Sequence, residues 1–579
     1  ARIEDELTKA HGIPVIIHAR TWIVEETIEK DRKDLAFNFL GVGSETTTQS
    51  RLGPNDYSRS QQLEDIEKEI KNPDAFAGME LQLASEALVA AKLSRNLERP
   101  REETDGRFLR AIRLAERHGT FRQKLEARYE HIWTGVWWFD DFDFLLSEYA
   151  AFEETALSSD SAVILEWLGN LHQCLVNAVI HQHRTDSEAR LSDRTNTLEQ
   201  RLQELANDTD RPNNRLEAKT GLLRIRLNRA MLNDDAEAFS DIWNGYAEIV
   251  EAARGLGEFN FESLLKYIDI VGKFAGNDPA YNALIEKTAT LVAERKGESE
   301  AALMYLRRAQ QLDFDDHFDM IRWLGRAVVG LAKQEHSEEL IEATQLLALA
   351  YRSAGLLWAA RASCAMAIAT LFIEGERDNE LPIMVVPTMK VWAWISLELG
   401  HLPDALHNIQ LLNGFLSGLP LDDESKKRVQ DDLYKLDIAL GAMILNLEDR
   451  DLANLEKLPD LLNGLDLYMS RTALLYALGH IQTMREDASL PESETDEDIR
   501  ELLIQLKNQV DGDQLAAPLE TNADRHPVLE TNILGMRVLV EFEGEKLISV
   551  AEAILGTLEA FFATAVEYQI VPHAEVYRI

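Results

Sequence analysis

The stretch Gly297-Glu-Ser-Glu-Ala-Ala302-Leu-Met-Tyr-Leu-Arg-Arg-Ala309 contains the pattern that decides the fold class. Two alanines, Ala302 and Ala309, stand two helical turns apart, so they lie on one face of a helix that starts after Gly297. A glycine commonly ends the preceding helix, because it adopts left-handed backbone angles at little cost. The small alanine side chains allow a neighbouring helix to approach closely. The stretch therefore predicts the turn and the second helix of a helical hairpin.

The same spacing recurs twice further along the chain, as Gly355, Ala360 and Ala367, and as Gly400, Ala405 and Leu412. Leu347, Ala348 and Tyr351 precede Gly355, and Trp392 and Leu399 precede Gly400. The arrangement resembles the tetratricopeptide repeat (TPR), which has a small residue and an aromatic on helix A, glycine at the turn and alanines on helix B. The glycines stand further apart than the family's period of about 34 residues. The resemblance covers residues 290–415 and implies divergent repeats or longer loops.

Composition extends this interpretation to the whole chain. With 579 residues, the chain exceeds the roughly 250–300 residues at which single cores stop growing. It is 45% apolar and has only 15 prolines and 30 glycines, a balance that favours long helices with short connections. We therefore predict a mainly α fold, an α-solenoid of TPR-like helical hairpins with small α/β elements at both ends.

Changes in composition and periodicity divide the chain into five parts. A β-branched run at 13–19 between helical patterns predicts a strand near the start, and alternation at 533–542 predicts another near the end. The segment 41–60 is rich in Gly, Ser, Thr, Asn and Pro, as linkers are. We expect the tail of an α/β domain at 1–40, a linker at 41–60, the TPR-like solenoid at 61–485, an acidic and polar linker with one helix at 486–527, and a small α/β cap at 528–579.

The first part also carries a second resemblance. The segment Glu4-Asp-Glu-Leu-Thr-Lys-Ala-His-Gly-Ile-Pro-Val-Ile-Ile-His-Ala-Arg-Thr-Trp-Ile-Val-Glu25 resembles the closing helix–strand–helix of restriction-endonuclease-like domains. Such domains precede helical repeats in some bacterial proteins of defence against phage or foreign DNA. The resemblance covers about 40 residues without that family's catalytic motif, so it implies no catalytic residue here. It implies a sensing or assembly arm for a nuclease-like domain.

The net charge limits which partners the chain can bind, and the cysteines indicate its cellular compartment. A formal charge of −40 repels phosphate backbones and anionic lipid, so direct nucleic-acid or membrane binding is disfavoured. Cys174 and Cys364 sit in apolar helical patterns and exclude a disulfide framework, which fits a reducing cytoplasm. The apolar stretch 354–372 matches a repeat helix better than a membrane span, because Arg361 lies in its middle.

Several polar clusters are candidates for chemistry, and each has a structural alternative. His172, Cys174, His181 and His183 form one cluster, but residues two apart point to different sides of a helix. Two carboxylate runs could hold a divalent ion, yet acidic residues are expected in loops and at helix starts of so acidic a chain. The runs are Asp140, Asp141 and Asp143, and Asp313, Asp315, Asp316 and Asp319. We predict no catalytic residue, no metal site and no cofactor.

Basic residues concentrate at Arg224, Arg226 and Arg229, and at Arg307, Arg308, Arg322 and Arg326. If they line a concave solenoid face, they would receive an acidic peptide or a phosphate, and otherwise they pair with nearby carboxylates. The favoured hypothesis is a non-catalytic module that binds a protein partner or itself through the solenoid groove. The alternative is a self-contained metal-dependent enzyme that uses the Asp and His clusters.

Overall fold

The computed structural model of the protein is mainly α-helical, as predicted. Its described residues are 56–72, 76–233, 235, 237–419, 423–445, 455, 457–487, 495–508, 528–533, 535–565 and 576–578. The predicted α/β tail at 1–40 lies outside them. The chain divides into two compact units, unit 1 up to Val271 and unit 2 from Gly272. The division falls inside the segment predicted as one solenoid.

Unit 1 consists of consecutive helices, most of which pack against the helix that follows. The first begins at Asp56, so the end of the predicted 41–60 linker is helical. The helices are α1 (Asp56–Ile70), α2 (Glu80–Asn96), α3 (Arg101–His118), α4 (Phe121–Phe139), α5 (Phe142–Leu157), α6 (Ala162–Ile180), α7 (Asp186–Ala189), α8 (Leu191–Ala206), α9 (Pro212–Asn233), α10 (Glu237–Ala253) and α11 (Phe261–Val271).

Unit 2 continues the same construction and ends in a small sheet. Short 3₁₀ turns at Gly272–Phe274, Phe314–Asp316 and Gln334–His336 precede three of its helices. The helices are α12 (Pro279–Lys296), α13 (Glu298–Gln310), α14 (His317–Leu331), α15 (Ser337–Ser353), α16 (Leu357–Asp378), α17 (Val385–Glu398), α18 (Leu402–Gly418), α19 (Asp423–Ile444), α20 (Leu458–Gly464), α21 (Tyr468–Ala477), α22 (Ile481–Asp487) and α23 (Asp496–Asn508).

The glycine–alanine pattern has the role that the sequence predicted. Gly297, Gly355 and Gly400 all have positive φ, at +114°, +73° and +71°, and each stands in the turn between two packed helices. The alanines of the pattern are buried in the hairpins, where a larger side chain would separate the helices. These alanines are Ala302, Ala309, Ala360, Ala367 and Ala405.

The last part of unit 2 is a β-hairpin followed by a helix. Strand β1 (Val528–Ile533) pairs antiparallel with β2 (Met536–Glu541), helix α24 (Ile548–Ala565) follows, and β3 (Val576–Arg578) pairs parallel with β2. The sequence predicted a single strand at 533–542. The structure instead turns at Gly535, which has a φ of +85° and donates its N–H to Asn532 at 3.0 Å. We call β1, β2 and α24 the C-terminal module.

Apolar clusters fill both units, and the long core helices account for the membrane-like stretches. Cys174 lies in the unit 1 cluster that joins α4 to α9, and Cys364 is buried in unit 2. Two described helices, Ala162–Ile180 and Leu357–Arg377, have the length and composition of a membrane span. In each, about half of the apolar window is buried in the fold (50% and 44%), and helices in the core of a helical stack share this composition.

Several helices start without a capping side chain of their own and receive one from a distant residue. The N-cap positions of α6, α16 and α21 are Ser161, Leu356 and Leu467, and none of them makes a side-chain cap bond. In α21, the carboxylate of Asp437 on α19 accepts the N–H groups of Met469 and Ser470, both at 2.8 Å. One side chain therefore satisfies two backbone donors at the start of another helix.

Replacing Asp437 with alanine removes this cap, and we expect the free energy of unfolding to fall by about 2 kcal/mol, because two buried donors lose their acceptor. Asp431→Ala is the matched control, since Asp431 is exposed on the same helix. Chemical denaturation followed by circular dichroism measures both losses. Equal losses for the two variants would contradict the capping role.

Candidate functional site

Three of the predicted partner-binding arginines lie on α9 in unit 1, and their surroundings differ. The Arg224 guanidinium is turned into the unit and donates to the Asn170 side chain at 2.8 Å. Arg226 is exposed, and Arg229 is exposed and pairs with Glu199 at 2.7 Å. Arg224 therefore holds helices of unit 1 together, while partner binding by Arg226 and Arg229 stays a prediction.

In unit 2, Arg308 is fully buried rather than available to a partner. Its guanidinium donates to the Asn282 side chain at 2.9 Å and to the Gly276 carbonyl at 2.5 Å, and it lies 4.8 Å from the centre of the Tyr281 ring. Burial lowers its pKa. Arg307, its neighbour, donates to a carbonyl of its own helix at 3.2 Å. Arg308 is thus a structural residue, which corrects its assignment to a binding face.

The last two arginines form a patch with aromatic side chains in unit 2. Arg326 lies 5.6 Å from the ring centre of Tyr305 and 5.4 Å from that of Trp323, and it pairs with Glu286. Arg322 stands one helical turn earlier on α14, where burial and the charge of Arg326 lower its pKa. Guanidinium groups over aromatic faces are common at protein interfaces. We call Tyr305, Arg322, Trp323 and Arg326 the arginine–aromatic patch.

The histidine and cysteine cluster is dispersed by helix geometry. His172 is buried on α6 and lies 2.8 Å from the Thr195 hydroxyl, and burial lowers its pKa to about 4. Burial raises the pKa of the Cys174 thiol to about 12. His181 and His183 follow the end of α6, with ring centres 6.3 Å apart. The four residues of the cluster are close in sequence, but their side chains therefore lie in separate environments.

The acidic runs serve helix ends and ion pairs. The Asp141 carboxylate accepts the Phe144 N–H at 2.9 Å, which caps α5, and hydrogen bonds from Arg101 and that N–H lower its pKa. Asp143 pairs with Arg184. In the other run, Asp316 accepts from Asn277 and Asp319 pairs with Arg322. Within the described ranges, no three or more His, Cys, Asp and Glu side chains are grouped to hold a metal ion.

A network of polar contacts in unit 2 lies where the C-terminal module meets the helical stack. Helix α24 packs against α14 and α16. The Glu559 side chain is fully buried, and its carboxylate accepts the Ala359 N–H at 2.8 Å and the Thr531 hydroxyl at 2.5 Å. Ala359 is in the first turn of α16, so Glu559 caps that helix. Burial outweighs these hydrogen bonds and raises the pKa of Glu559 to about 7.

A second glutamate of α24 joins a network of charged side chains. Glu552 lies 3.1 Å from the Arg361 guanidinium and 3.0 Å from His401 Nε2. Arg361 is also paired with Asp404 at 2.8 Å, and Asp404 accepts the Ser396 hydroxyl at 2.7 Å. Bonds on both sides fix the Arg361 guanidinium, so the stack presents a preorganised cation to α24.

A glycine allows the close approach of α24 to α16. A Cβ atom on Gly556 would stand 3.1 Å from the Trp358 carbonyl oxygen, which is tighter than ordinary contact. The Trp358 indole in turn donates to the Glu530 carbonyl of β1 at 3.3 Å. Glu552, Gly556 and Glu559 are spaced i, i+4 and i+7, which places them on one face of α24.

Sequence reasoning missed these residues of unit 2, although a signal was present. Helix α24 is apolar, so a glycine and two glutamates on one of its faces are unusual for a surface or a core. We call the residues of the stack beneath that face the module site. They are Trp358, Ala359, Arg361, His401 and Asp404.

Unit 1 contains a small polar cavity of about 30 Å³. Glu166 and Glu217 line it, and Glu166 accepts the Ser263 hydroxyl at 2.9 Å while Glu217 accepts the Asn260 N–H at 2.9 Å. Burial raises the pKa of Glu217 to about 7, and the nearby charge of Glu166 adds to the shift. This space is far smaller than the pockets of about 300–1,000 Å³ that bind small organic ligands, so the two carboxylates have no room for an organic substrate.

Comparisons with known proteins add little to these observations. No protein-family model matches the chain, and no curated protein matches it. A solved structure described as a "circular tandem repeat protein with novel repeat topology and enhanced subunit contact surfaces" is 15% identical, over 78% of this chain and 90% of that one, with a TM-score of 0.14. So low a TM-score supports no inference about this chain. Its own helices and hairpins define it as a mainly α-helical repeat protein.

Substitution of the buried Arg308 and of the exposed Arg326 should cost different amounts of stability. Arg308→Ala should lower the free energy of unfolding by about 3 kcal/mol, because it leaves buried acceptors unpaired. Arg326→Ala should cost less than about 1 kcal/mol, since the ion pair of Arg326 is exposed to solvent. Chemical denaturation of both variants measures the difference. A larger loss for Arg326 would show that the patch is structural.

Because the pKa of Glu217 is raised, we expect Glu217→Gln to increase the free energy of unfolding in a pH-dependent way. Ionising the wild-type carboxyl between its ordinary pKa and about 7 costs stability, so wild-type stability falls as pH rises through that range. Glutamine has no proton to lose and still accepts the Asn260 N–H. At pH 8 the variant should be more stable by about 1 kcal/mol, allowing for partial exposure, and the gain should vanish near pH 4. Thermal unfolding at both pH values tests this, and a gain independent of pH would contradict it.

Proposed function

We propose that the chain is a non-catalytic protein-interaction scaffold. One observation carries the proposal: the helices of unit 2 hold a strand–strand–helix element through residues far away in sequence, including Arg361 to Glu552 and Ala359 to Glu559. Charge-assisted bonds, a capped helix start and an indole contact are means by which proteins recognise other proteins. In the arginine–aromatic patch, Arg326 is exposed while Trp323 beneath it is buried, so the Arg326 guanidinium offers a second contact for an acidic segment of a partner or of another copy.

The charge and the environments of the candidate residues support the absence of catalysis and of nucleic-acid binding. The net charge of −40 opposes binding to phosphate backbones. The Asp and His clusters are engaged in helix caps, ion pairs and core contacts, and the cavity that Glu166 and Glu217 line in unit 1 is too small for an organic substrate. We also propose a cytoplasmic location, because two buried cysteines without a disulfide suit a reducing compartment.

At a finer level, we propose that the scaffold is the sensing or assembly arm of a bacterial, anti-phage defence-type protein associated with a nuclease. The resemblance of residues 4–25 to the end of restriction-endonuclease-like domains supports this role. The hairpins at Gly297, Gly355 and Gly400 support descent from divergent tetratricopeptide repeats, which are interaction modules.

Light scattering of the 579-residue chain tests the scaffold proposal, together with metal analysis and assays for nucleic-acid cleavage. We expect a discrete oligomer with no stoichiometric metal and no turnover. Arg326→Glu should lower the oligomer mass by placing a carboxylate in the arginine–aromatic patch. Lys333→Glu is the control, because Lys333 is exposed in the same unit and the change in charge is the same.

A monomer at every concentration would rule out self-association through the arginine–aromatic patch. A stoichiometric metal ion together with turnover would overturn the proposal in favour of the enzyme alternative.

A further inference from the structure

We propose that the module site recognises acidic amphipathic helices and that α24 is its resident occupant, which a partner helix replaces. This inference rests on the proposed scaffold function and names the chemistry of the partner. The partner helix carries the pattern Glu-x3-Gly-x2-Glu on one apolar face, as α24 does with Glu552, Gly556 and Glu559.

The two carboxylates of the pattern meet complementary charge. At one end, Glu552 lies between Arg361 and His401, at 3.1 and 3.0 Å. At the other end, Glu559 receives a backbone N–H in the first turn of α16, where the helix dipole favours an acceptor with negative charge. The spacing between the glutamates is two turns, so only a helix in one direction and register satisfies both ends.

The position between the glutamates selects for glycine. The Trp358 carbonyl leaves 3.1 Å for a Cβ atom at Gly556, so a larger side chain would lift the helix from the site. Lifting the helix would lengthen both glutamate contacts at once. The site therefore discriminates by shape at its centre and by charge at its ends.

Helix α24 packs more extensively on the stack than on the module's own sheet, although the Thr531 hydroxyl of β1 also donates to Glu559. An open apolar cleft of about 420 Å³ lies between β2 and α24, lined by residues such as Val540, Phe542 and Ile554. This cleft is open to solvent, so the contact between α24 and the module's own sheet is only partly packed. Val550 and Phe561 are also 51% and 59% exposed. The face of α24 toward the stack is thus better packed and hydrogen-bonded than its other faces. A partner helix with the same pattern would therefore compete for the stack.

The test opens the site in the full chain and supplies the helix as a peptide. Gly556→Leu displaces α24 without altering a residue of the module site, and Ala553→Leu is the control, because Ala553 is exposed on the same helix. The probe is a fluorescent peptide with the sequence of residues 545–566. We expect the opened variant to bind one peptide at least 10-fold more tightly than the wild type and the control, in which α24 competes at high effective concentration.

The pattern is tested in the peptide. Changing Glu552 or Glu559 to alanine should weaken binding to the opened variant about 10-fold each, as the loss of one charged hydrogen bond does. Changing Gly556 to leucine should weaken it at least as much, because the larger side chain collides with the Trp358 carbonyl. Glu552→Lys in the chain is a second opening variant, which repels Arg361 and leaves Gly556 unchanged. Circular dichroism confirms that both opened variants keep their helical content.

Failure of both opened variants to bind, or equal binding of all four peptides, would overturn the proposal. A dimer in place of the peptide complex would assign the site to a second copy of the chain instead of a separate partner. These outcomes leave the scaffold proposal standing, because that proposal fails only if the chain carries a stoichiometric metal ion and shows turnover.

Discussion

The free N–H groups at the starts of helices are the constraint on which much of this structure depends. A stack of helices buries many such starts, and each leaves backbone donors that water no longer reaches. Leu356 cannot cap α16, and Glu559 of α24 caps it instead. Leu467 cannot cap α21, and Asp437 of α19 caps it instead. In unit 1, Asn214 accepts the N–H of Ala162 in the same way. Capping therefore ties together helices that are distant in sequence.

Charged side chains inside the stack extend the same principle. Arg308 satisfies a loop carbonyl and a side-chain amide at the base of a hairpin, and Arg95 joins α2 to α4 through Glu130 at 2.7 Å. Such groups are costly to bury alone, so each is surrounded by bonds that fix it. Arginines of this chain are thus buried hydrogen-bond donors at one position and exposed residues at another, as Arg308 on α13 and Arg326 on α14 illustrate.

The module site joins the capping constraint to function. The cap that α16 lacks is provided by a helix placed at the end of the chain, and the contact also uses an ion-paired arginine and a glycine fitted to a carbonyl. The start of α16 needs a carboxylate from another helix to accept its backbone N–H, so it favours helices that carry a glutamate at that position. The same bonds stabilise unit 2 and recognise α24. They are also the bonds that a partner helix would form in the proposed exchange.

The sequence alone determined the mainly α fold, the hairpin turns at Gly297, Gly355 and Gly400 and the burial of their alanines, because these depend on local backbone angles and helical periodicity. It also indicated helix-cap and pairing roles for the acidic runs. Only the tertiary structure decided that Arg308 is internal and that Glu552 and Glu559 meet Arg361 and Ala359. Those contacts join residues about 200 positions apart, and no local pattern encodes which distant side chain reaches a given helix start.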